Sequence, residues 1–315
     1  MNAELFDELR PVGFAVAYRM LGSVSEAEDI VQEAFLRLHR ALGDGQPIES
    51  PRAYLATVVT RLCIGHLRSA RVRRETYADT LPEPLVGEPG AAVPLVSASG
   101  PAGVADAGGD PASHAELADS LSLAFLVLLE SLSPEQRAAF LLRDVFDYPY
   151  DHIATIVLTS EENARQLVAR ARRHIAQRRP RFEPSRERRE ALARGFFAAA
   201  RDGDLGALEE LLAHDVTLHG GLPQPVIGRV RVARTLLAAL RTATNHFGAL
   251  SVREVSVNGQ PGATVLDPSD RLIGVVALDI AEGGQIQTVT SVLSPDKLRH
   301  LGPLADLGQF RRGAR

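Results

Sequence analysis

The chain has 315 residues, 45% of them hydrophobic, and a formal net charge of -4 at pH 7. That length suits two or three domains of roughly 150 residues each, and the single cysteine, Cys63, excludes an internal disulfide and a cysteine metal cluster. There is no apolar run of about 18 residues and no basic-then-apolar start, so neither a membrane span nor a secretory leader is expected and the implied compartment is the cytoplasm.

The first elements read as helices. Leu5, Phe6, Leu9, Val12, Val16 and Met20 recur at helical spacing up to Gly22, and Pro11 should bend or split that helix. Ser25-Glu26-Ala27-Glu28 reads as a capping box opening a second helix. Its apolar side is Ile30, Val31, Ala34, Phe35 and Leu38, and its polar side carries Glu26, Asp29, Gln32, Glu33 and Arg37. Past a loop with Gly43, Gly45 and Pro47, Ser50-Pro51 starts a third helix, with Leu55, Val58, Val59 and Leu62 on its buried side. Its far end is basic through Arg61, His66, Arg68, Arg71, Arg73 and Arg74, with Tyr54 and Thr57 upstream. Cations spaced along a helix are the electrostatic footprint of a nucleic-acid backbone.

From Glu75 to Ser113 periodicity vanishes among prolines, glycines and acids, as in a long functional or disordered connection. Ser113-His114-Ala115-Glu116 is another capping box, and Leu117, Leu121, Phe125, Leu128 and Leu132 carry its helix. Ser133-Pro134-Glu135-Gln136 opens the next one. A short helix from Tyr150 to Val157, a break at Leu158-Thr159 and a helix opened by Ser160 form a helix-turn-helix. Ala164, Leu167, Val168, Ala171 and Ile175 make the buried stripe of the last helix, while Arg165, Gln166, Arg170, Arg172 and Arg173 fall largely off it. Glu161, Glu162 and Asn163 occupy its first turn, where acids suit the helix dipole and short polar side chains can reach base edges. A solvated basic face is the ordinary alternative for such a helix.

After Pro184 the pattern changes to two helices, around Ala191–Ala200 and Leu205–Leu212, then strands at Val216–His219, Leu250–Val257, Ala263–Leu266, Leu272–Ala281 and Gln285–Val292. A helix from Arg229 to Ala243 interrupts them, and Asn258-Gly259, Pro268 and Gly283-Gly284 break them. Helices followed by a curved antiparallel sheet describe an α+β cone. Within it His214, Asp215, His219 and Asp267 are the candidates for acid–base chemistry, though no second catalytic partner can be placed.

Residues 17–23 (Ala-Tyr-Arg-Met-Leu-Gly-Ser) and 27–38 (Ala-Glu-Asp-Ile-Val-Gln-Glu-Ala-Phe-Leu-Arg-Leu) resemble region 2 of the extracytoplasmic-function sigma factors of bacterial RNA polymerase. Leu132-Ser133-Pro134-Glu135-Gln136-Arg137 and the helix-turn-helix resemble region 4 of the same family, in the expected order. Leu81-Pro82-Glu83-Pro84-Leu85, residues 257–263 and Ser294-Pro295-Asp296-Lys297-Leu298 resemble the SigJ-like subgroup, which carries a SnoaL-like domain related to nuclear transport factor 2. Three departures stand out: Leu158 where relatives have glycine at the helix-turn-helix break, Pro149 in place of the usual cap, and Thr80 where the subgroup has tryptophan.

The resemblance implies two all-α sigma domains followed by an α+β SnoaL-like domain. It implies boundaries at 1–76 for region 2, 77–112 for a flexible linker, 113–181 for region 4, 185–301 for the SnoaL-like domain and 302–315 for a tail. Asp29, Gln32, Glu33 and Leu36 would dock on the β′ clamp of core polymerase, whose β flap is the other contact implied. Tyr54, Arg61, Arg68, Arg71, Arg73 and Arg74 would hold the melted -10 element. Ser160, Glu161, Glu162, Asn163, Arg165, Gln166, Arg170 and Arg173 would read the -35 element. Leu81, Pro82, Glu83 and Pro84 would act with Pro295, Asp296, Lys297 and Leu298 as a regulatory motif. The partners implied are core polymerase and promoter DNA, with no membrane, no catalytic residue, no metal and no cofactor. The runner-up reading is a SnoaL-like small-molecule enzyme or ligand sensor fused to a DNA-binding module.

Overall fold

Helix ends follow their local chemistry. A computed structural model of the chain describes residues 3–73, 81–89, 121–176, 186–222, 224–280 and 283–307. Helix α1 (Ala3–Leu21) runs unbroken through Pro11, against the expected bend or split. Pro11 and Asp7, one turn earlier, both lie on the exposed face, so the carbonyl left without a donor meets water rather than the core. Gly22 ends the helix at φ 68°. Helix α2 (Val24–Gly43) starts at once, because Ser23 is extended and its hydroxyl accepts the Glu26 N–H at 3.2 Å. The cap is therefore Ser23, and Ser25, predicted for that role, already lies inside the helix. Helix α3 (Pro51–Arg73) opens on Ser50, which accepts the Ala53 N–H at 3.2 Å.

Helices α4 (Leu123–Glu130) and α5 (Pro134–Phe140) follow. At the start of α5 both halves of the capping box form: Gln136 N–H to Ser133 Oγ at 3.2 Å and Ser133 N–H to Gln136 Oε1 at 3.1 Å. A π turn over Leu141–Val145 leads to α6 (Tyr150–Val157) and α7 (Glu161–Ala176). The capping box at Ser113 lies outside the described residues.

The chain divides into two compact units, the first holding α1–α3, α4 from Phe125 onward and α5–α7. Its core is built on Leu9, Val16, Met20, Phe35, Leu38, Leu55 and Val59 from the first three helices, and on Phe140, Leu142, Ile153, Val168 and Ile175 from the later ones. Gly13 of α1 faces both α2 and α3: a Cβ there would lie 3.3 Å from Leu55 and 3.4 Å from Val31.

The second unit holds β1 (Val86–Gly87), α8 (Arg186–Asp202), α9 (Leu205–Leu211), β2 (Leu212–His219), β3 (Val226–Ile227), α10 (Arg229–Phe247), β4 (Ser251–Val257), β5 (Gln260–Leu266), β6 (Leu272–Ile280), β7 (Ile286–Val292) and α11 (Pro295–Leu298). One seven-stranded sheet runs in the order β1-β4-β5-β6-β7-β2-β3. It is not wholly antiparallel as expected, since β2 and β7 pair in parallel. The long connection through α10 and the β4–β6 meander supplies the crossover that a parallel pair needs. Phe196, Leu208, Leu212, Val216, Val232, Leu278, Ile286 and Val289 form the core between sheet and helices.

Two segments expected to lack structure are ordered in part. Residues 85–87, assigned to the flexible linker, add an edge strand to β4. Residues 303–305, assigned to the tail, bond to Leu272, and Ala305 and Leu307 pack on Ile273. The architecture is thus two helical parts, the second bearing the helix-turn-helix, and an α+β domain. No described helix is long and apolar enough to cross a membrane.

Candidate nucleic-acid interface

The two halves of the helix-turn-helix are joined by Leu158, which stands in the left-handed region at φ 61° and ψ 56°. A side chain there costs about 1–2 kcal/mol that glycine would not, and Leu158 recovers little by packing, being 76% exposed. The Thr159 N–H closes the turn on the Ala154 carbonyl at 2.9 Å. Ser160 then caps α7 by accepting the Asn163 N–H at 3.2 Å, and Asn163 Nδ2 donates to Thr159 Oγ1 at 2.7 Å. Ala164, Val168, Ala171 and Ile175 are buried, and Leu167 is half-buried.

Every -35 candidate faces outward: Ser160, Glu161, Glu162, Asn163, Arg165, Gln166, Arg170 and Arg173 are all exposed. Arg165 is held in place by an ion pair with Glu161 and by the Tyr150 ring, 4.5 Å from its guanidinium carbon. Arg143 lies 5.2 Å from the same ring. Arg172 is committed elsewhere, forked onto Asp144, and that hydrogen bond raises its pKa further despite some burial. Tyr150 and Asp144 carry no helical or motif signal of their own; only the position of Tyr150 at the start of α6 hinted at a role.

The candidate docking face on α2 is laid out by helical spacing. Asp29, Gln32 and Leu36 are exposed, and Glu33 is half-buried, paired with Arg37 at 2.8 Å. Leu36, 52% exposed, is an apolar side chain amid acids and amides. This is a surface with an acidic rim and an unburied apolar centre.

The basic helix α3 is different. Arg61 donates from Nη2 to the Thr155 carbonyl at 2.8 Å and from Nε to the Ile156 carbonyl at 3.1 Å. Arg68 reaches Glu135 Oε1 from Nε at 2.8 Å and from Nη2 at 2.7 Å. Burial of Glu135 works against ionisation, but its backbone N–H bond and Arg68 hold the carboxyl below its ordinary value. Tyr54 is half-buried. Arg71 and Arg73 lie within α3, but their side chains, like the whole of Arg74, lie outside the described residues.

Two further arginines complete this arrangement. Arg137 is buried at 4% exposure and donates to the Met20 carbonyl at 2.5 Å and the Leu129 carbonyl at 2.9 Å. Arg19 is buried with its guanidinium 5.4 Å from the Phe146 ring centre. Both belong to the family-like patterns at 17–23 and 132–137, their only signal in the sequence. Cys63, between these helices, is buried, and burial pushes its thiol well above the ordinary range.

In the second unit the later half of the linker motif, Glu83 and Pro84, is anchored. Glu83 and Pro84 are buried. His300 Nε2 donates to the Pro84 carbonyl at 2.8 Å. Asn258 exchanges two bonds with Leu85, accepting its N–H on Oδ1 and donating its own N–H to its carbonyl, each at 2.8 Å. Asn258 can do this because, at φ 54° with Gly259 at φ 81°, it forms the two-residue turn between β4 and β5. Leu81 and Pro82 are buried in the first unit, Pro82 against Gly22. In α11, Leu298 is buried, Pro295 and Lys297 are half-buried, and Asp296 is exposed and paired with Arg299 at 2.7 Å.

The acid–base candidates are not brought together. His214 and Asp215 are exposed; Gln287 Nε2 bonds Asp215 at 3.0 Å and lowers its pKa. His219 is half-buried, which lowers its pKa. Asp267 is buried and accepts the Ser269 N–H, the Arg271 N–H and the Arg271 guanidinium. Burial opposes its charge, yet those donors hold the carboxyl below its usual value, as in a structural turn. A cavity of about 250 Å³ between α8, α10 and the sheet is lined by Phe196, Phe197, Leu236, Leu240, Val252 and Ile273, with Arg201, Thr244 and Ser291 as its polar groups. None of the four acid–base candidates is among its lining residues. Among the described residues no group of three or more His, Cys, Asp or Glu is placed to hold a metal ion.

These features can be set beside known proteins. The model for Sigma-70 region 2 matches residues 5–73 and that for Sigma-70 region 4 matches residues 122–175. The probable ECF RNA polymerase sigma factor SigI of Mycobacterium tuberculosis is 36% identical over 300 residues, covering 93% of this chain and 92% of the relative. The ECF RNA polymerase sigma factor SigJ of the same organism is 34% identical over 313 residues, covering 94% and 93%. The crystal structure of SigJ superposes with a TM-score of 0.72 at 33% identity, over 96% of this chain and all of that one.

Proposed function

The chain belongs to the extracytoplasmic-function sigma factors of RNA polymerase, and from that premise we propose a division of labour among its surfaces. It binds core polymerase and directs it to specific promoters, carrying out no covalent chemistry of its own. The observation that carries this reading is the helix-turn-helix: its buried stripe clamps α7 while eight candidate reading residues, Ser160 to Arg173, face solvent together.

Helix α7 reads the upstream element, with Asn163 and Gln166 suited to base edges and Arg165, Arg170 and Arg173 to phosphates or guanine. Asp29, Gln32, Glu33 and Leu36 on α2 dock against the β′ clamp, and the helices around α7 meet the β flap. Tyr54, Arg61, Arg68, Arg71, Arg73 and Arg74 on and after α3 hold the melted downstream element. Opening the duplex costs a few kcal/mol per flipped base, which phosphate-binding arginines help offset.

The α+β domain is regulatory. Asn258 and His300 hold the connecting segment at Pro84 and Leu85, which makes these two residues the points through which the domain would act on it. A ligand-sensing role is the second reading, favoured by the apolar cavity beneath α10. A catalytic role has less support, because the acid–base candidates lie away from that cavity. The site of action is the cytoplasm, where the polymerase works.

Purified chain added to core polymerase and a matched promoter should give a specific run-off transcript, and the absence of one rejects the reading. Replacing Asp29 and Glu33 with alanine should weaken polymerase binding without unfolding the chain.

A further inference from the structure

The cavity between α8, α10 and the sheet differs from a packing void in the state of its polar groups. Arg201, Thr244 and Ser291 line it, and none of these three side chains has a hydrogen bond or ion pair with a described residue. Comparable side chains nearby are engaged. On the same helix α10, the Thr235 and Thr242 hydroxyls turn back onto the carbonyls of Arg231 and Ala238, at 2.7 and 2.9 Å. Thr244 forgoes that bond and lines the cavity instead. Elsewhere in the same unit Arg253, Arg271 and Arg299 are each paired with a carboxylate, whereas Arg201 borders an apolar space. Its position in the last turn of α8 suits the helix dipole, which accounts for a cation there but not for its place on the cavity. No carboxylate is among the lining residues, so none opposes an anion at the cavity wall.

The rest of the wall sets the body of a ligand. Phe196, Phe197 and Ile273 are buried, and Leu240 and Val252 are half-buried. Arg201 and Thr244 are exposed while lining the same space, which puts them at its opening. A dry apolar cavity of about 150 Å³ takes a benzene ring, so one of about 250 Å³ takes a short acyl chain or a substituted ring. A guanidinium at the mouth takes a carboxylate with two parallel bonds. We propose that the cavity binds a small amphipathic acid, its apolar body against the two phenylalanines and its carboxylate at Arg201, with the Thr244 hydroxyl as a second donor. This inference rests on the ligand-sensing reading of the domain and names the class of ligand. Because none of the four acid–base candidates lines the cavity, the acid is held and released unchanged. Val252 lies near the start of β4, and the Asn258-Gly259 turn at the far end of that strand holds Leu85, so one strand joins the cavity to the connecting segment.

The test uses the full chain, with octanoate and octan-1-ol as probes of equal body and different head, measured by isothermal titration calorimetry. Octanoate should bind about tenfold more tightly than octanol, the worth of a charge-assisted bond at a partly wet site. Arg201→Gln should remove that preference, weakening octanoate about tenfold and leaving octanol within about twofold. Ala239→Trp fills the opening from an exposed helical position and should abolish binding of both probes, with the circular dichroism spectrum and unfolding midpoint unchanged. If that variant unfolds, Ala200→Phe on the facing helix α8 fills the same space. A wild-type chain that binds neither probe overturns the site. So does one that binds both equally, or binding that survives a filled cavity. Octanoate that binds as expected but leaves the yield of specific transcript unchanged refutes the sensing reading, and leaves the acid site standing.

Discussion

Two basic helices in this protein present their arginines in opposite ways. On α7, Arg165, Arg170 and Arg173 stand on the exposed side of a helix whose other side is fully packed. On α3, Arg61 and Arg68 are equally cationic in sequence but are bound to region 4, one by main-chain carbonyls and one by a carboxylate. Composition along a helix thus locates positive charge; only tertiary structure says whether that charge is available.

The contrast can be attacked where it should be strongest, at the groups that hold the two regions together. Arg137→Ala removes a buried charged donor and strands the Met20 and Leu129 carbonyls, and should cost about 3 kcal/mol of stability in denaturant unfolding. Next in size is the comparison of one arginine from each helix. Arg61→Ala should lose about 1–2 kcal/mol, since two charge-assisted bonds disappear at a partly exposed site. Arg170→Ala should leave stability within about 0.5 kcal/mol and lower the salt-dependence slope of promoter binding by about 1. Equal stability losses at the two positions would erase the distinction.

A smaller and opposite effect is expected at the turn. Leu158→Gly relieves a left-handed side chain that is mostly solvated, and should stabilise the chain by about 1 kcal/mol. The smallest effect is with pH. The Glu135 carboxyl is lowered in the folded chain relative to an unfolded value of about 4.3. Its contribution is therefore present above that value and lost as pH falls through the folded one. Because Arg68 is largely exposed, that contribution is under about 1 kcal/mol. Glu135→Gln should flatten the acid limb of a stability–pH curve by that amount.

Periodic features were legible in the sequence because they depend on neighbours three or four positions away. The spacing puts the first helix of the helix-turn-helix at Tyr150 to Val157 and the cap of the second at Ser160, as observed, and the main strands of the α+β domain fall on the predicted segments, although β2 begins four residues earlier and β5 three residues earlier than the alternation suggests. Features that depend on distant partners were not. Residues 85–87 look like linker because their strand partner lies at 256–257. The parallel pairing of β2 with β7 has no local signature either. Proline and serine misled in two places by context: Pro11 sits on a wet face where its missing donor costs little, and Gly22 lets Ser23 take the cap from Ser25. The bonds of Arg61 to Thr155 and Ile156 join positions 94 and 95 residues apart, so the state of α3 could be seen only in the fold.

The most direct measurement of that state is site-specific photo-crosslinking to promoter DNA, with the reactive side chain at Gly65 on α3 or at Ala169 on α7, both exposed. The account predicts that α7 crosslinks the upstream element with or without core polymerase, whereas α3 crosslinks the downstream element only when core polymerase is present. Equal crosslinking of α3 in both conditions would contradict it.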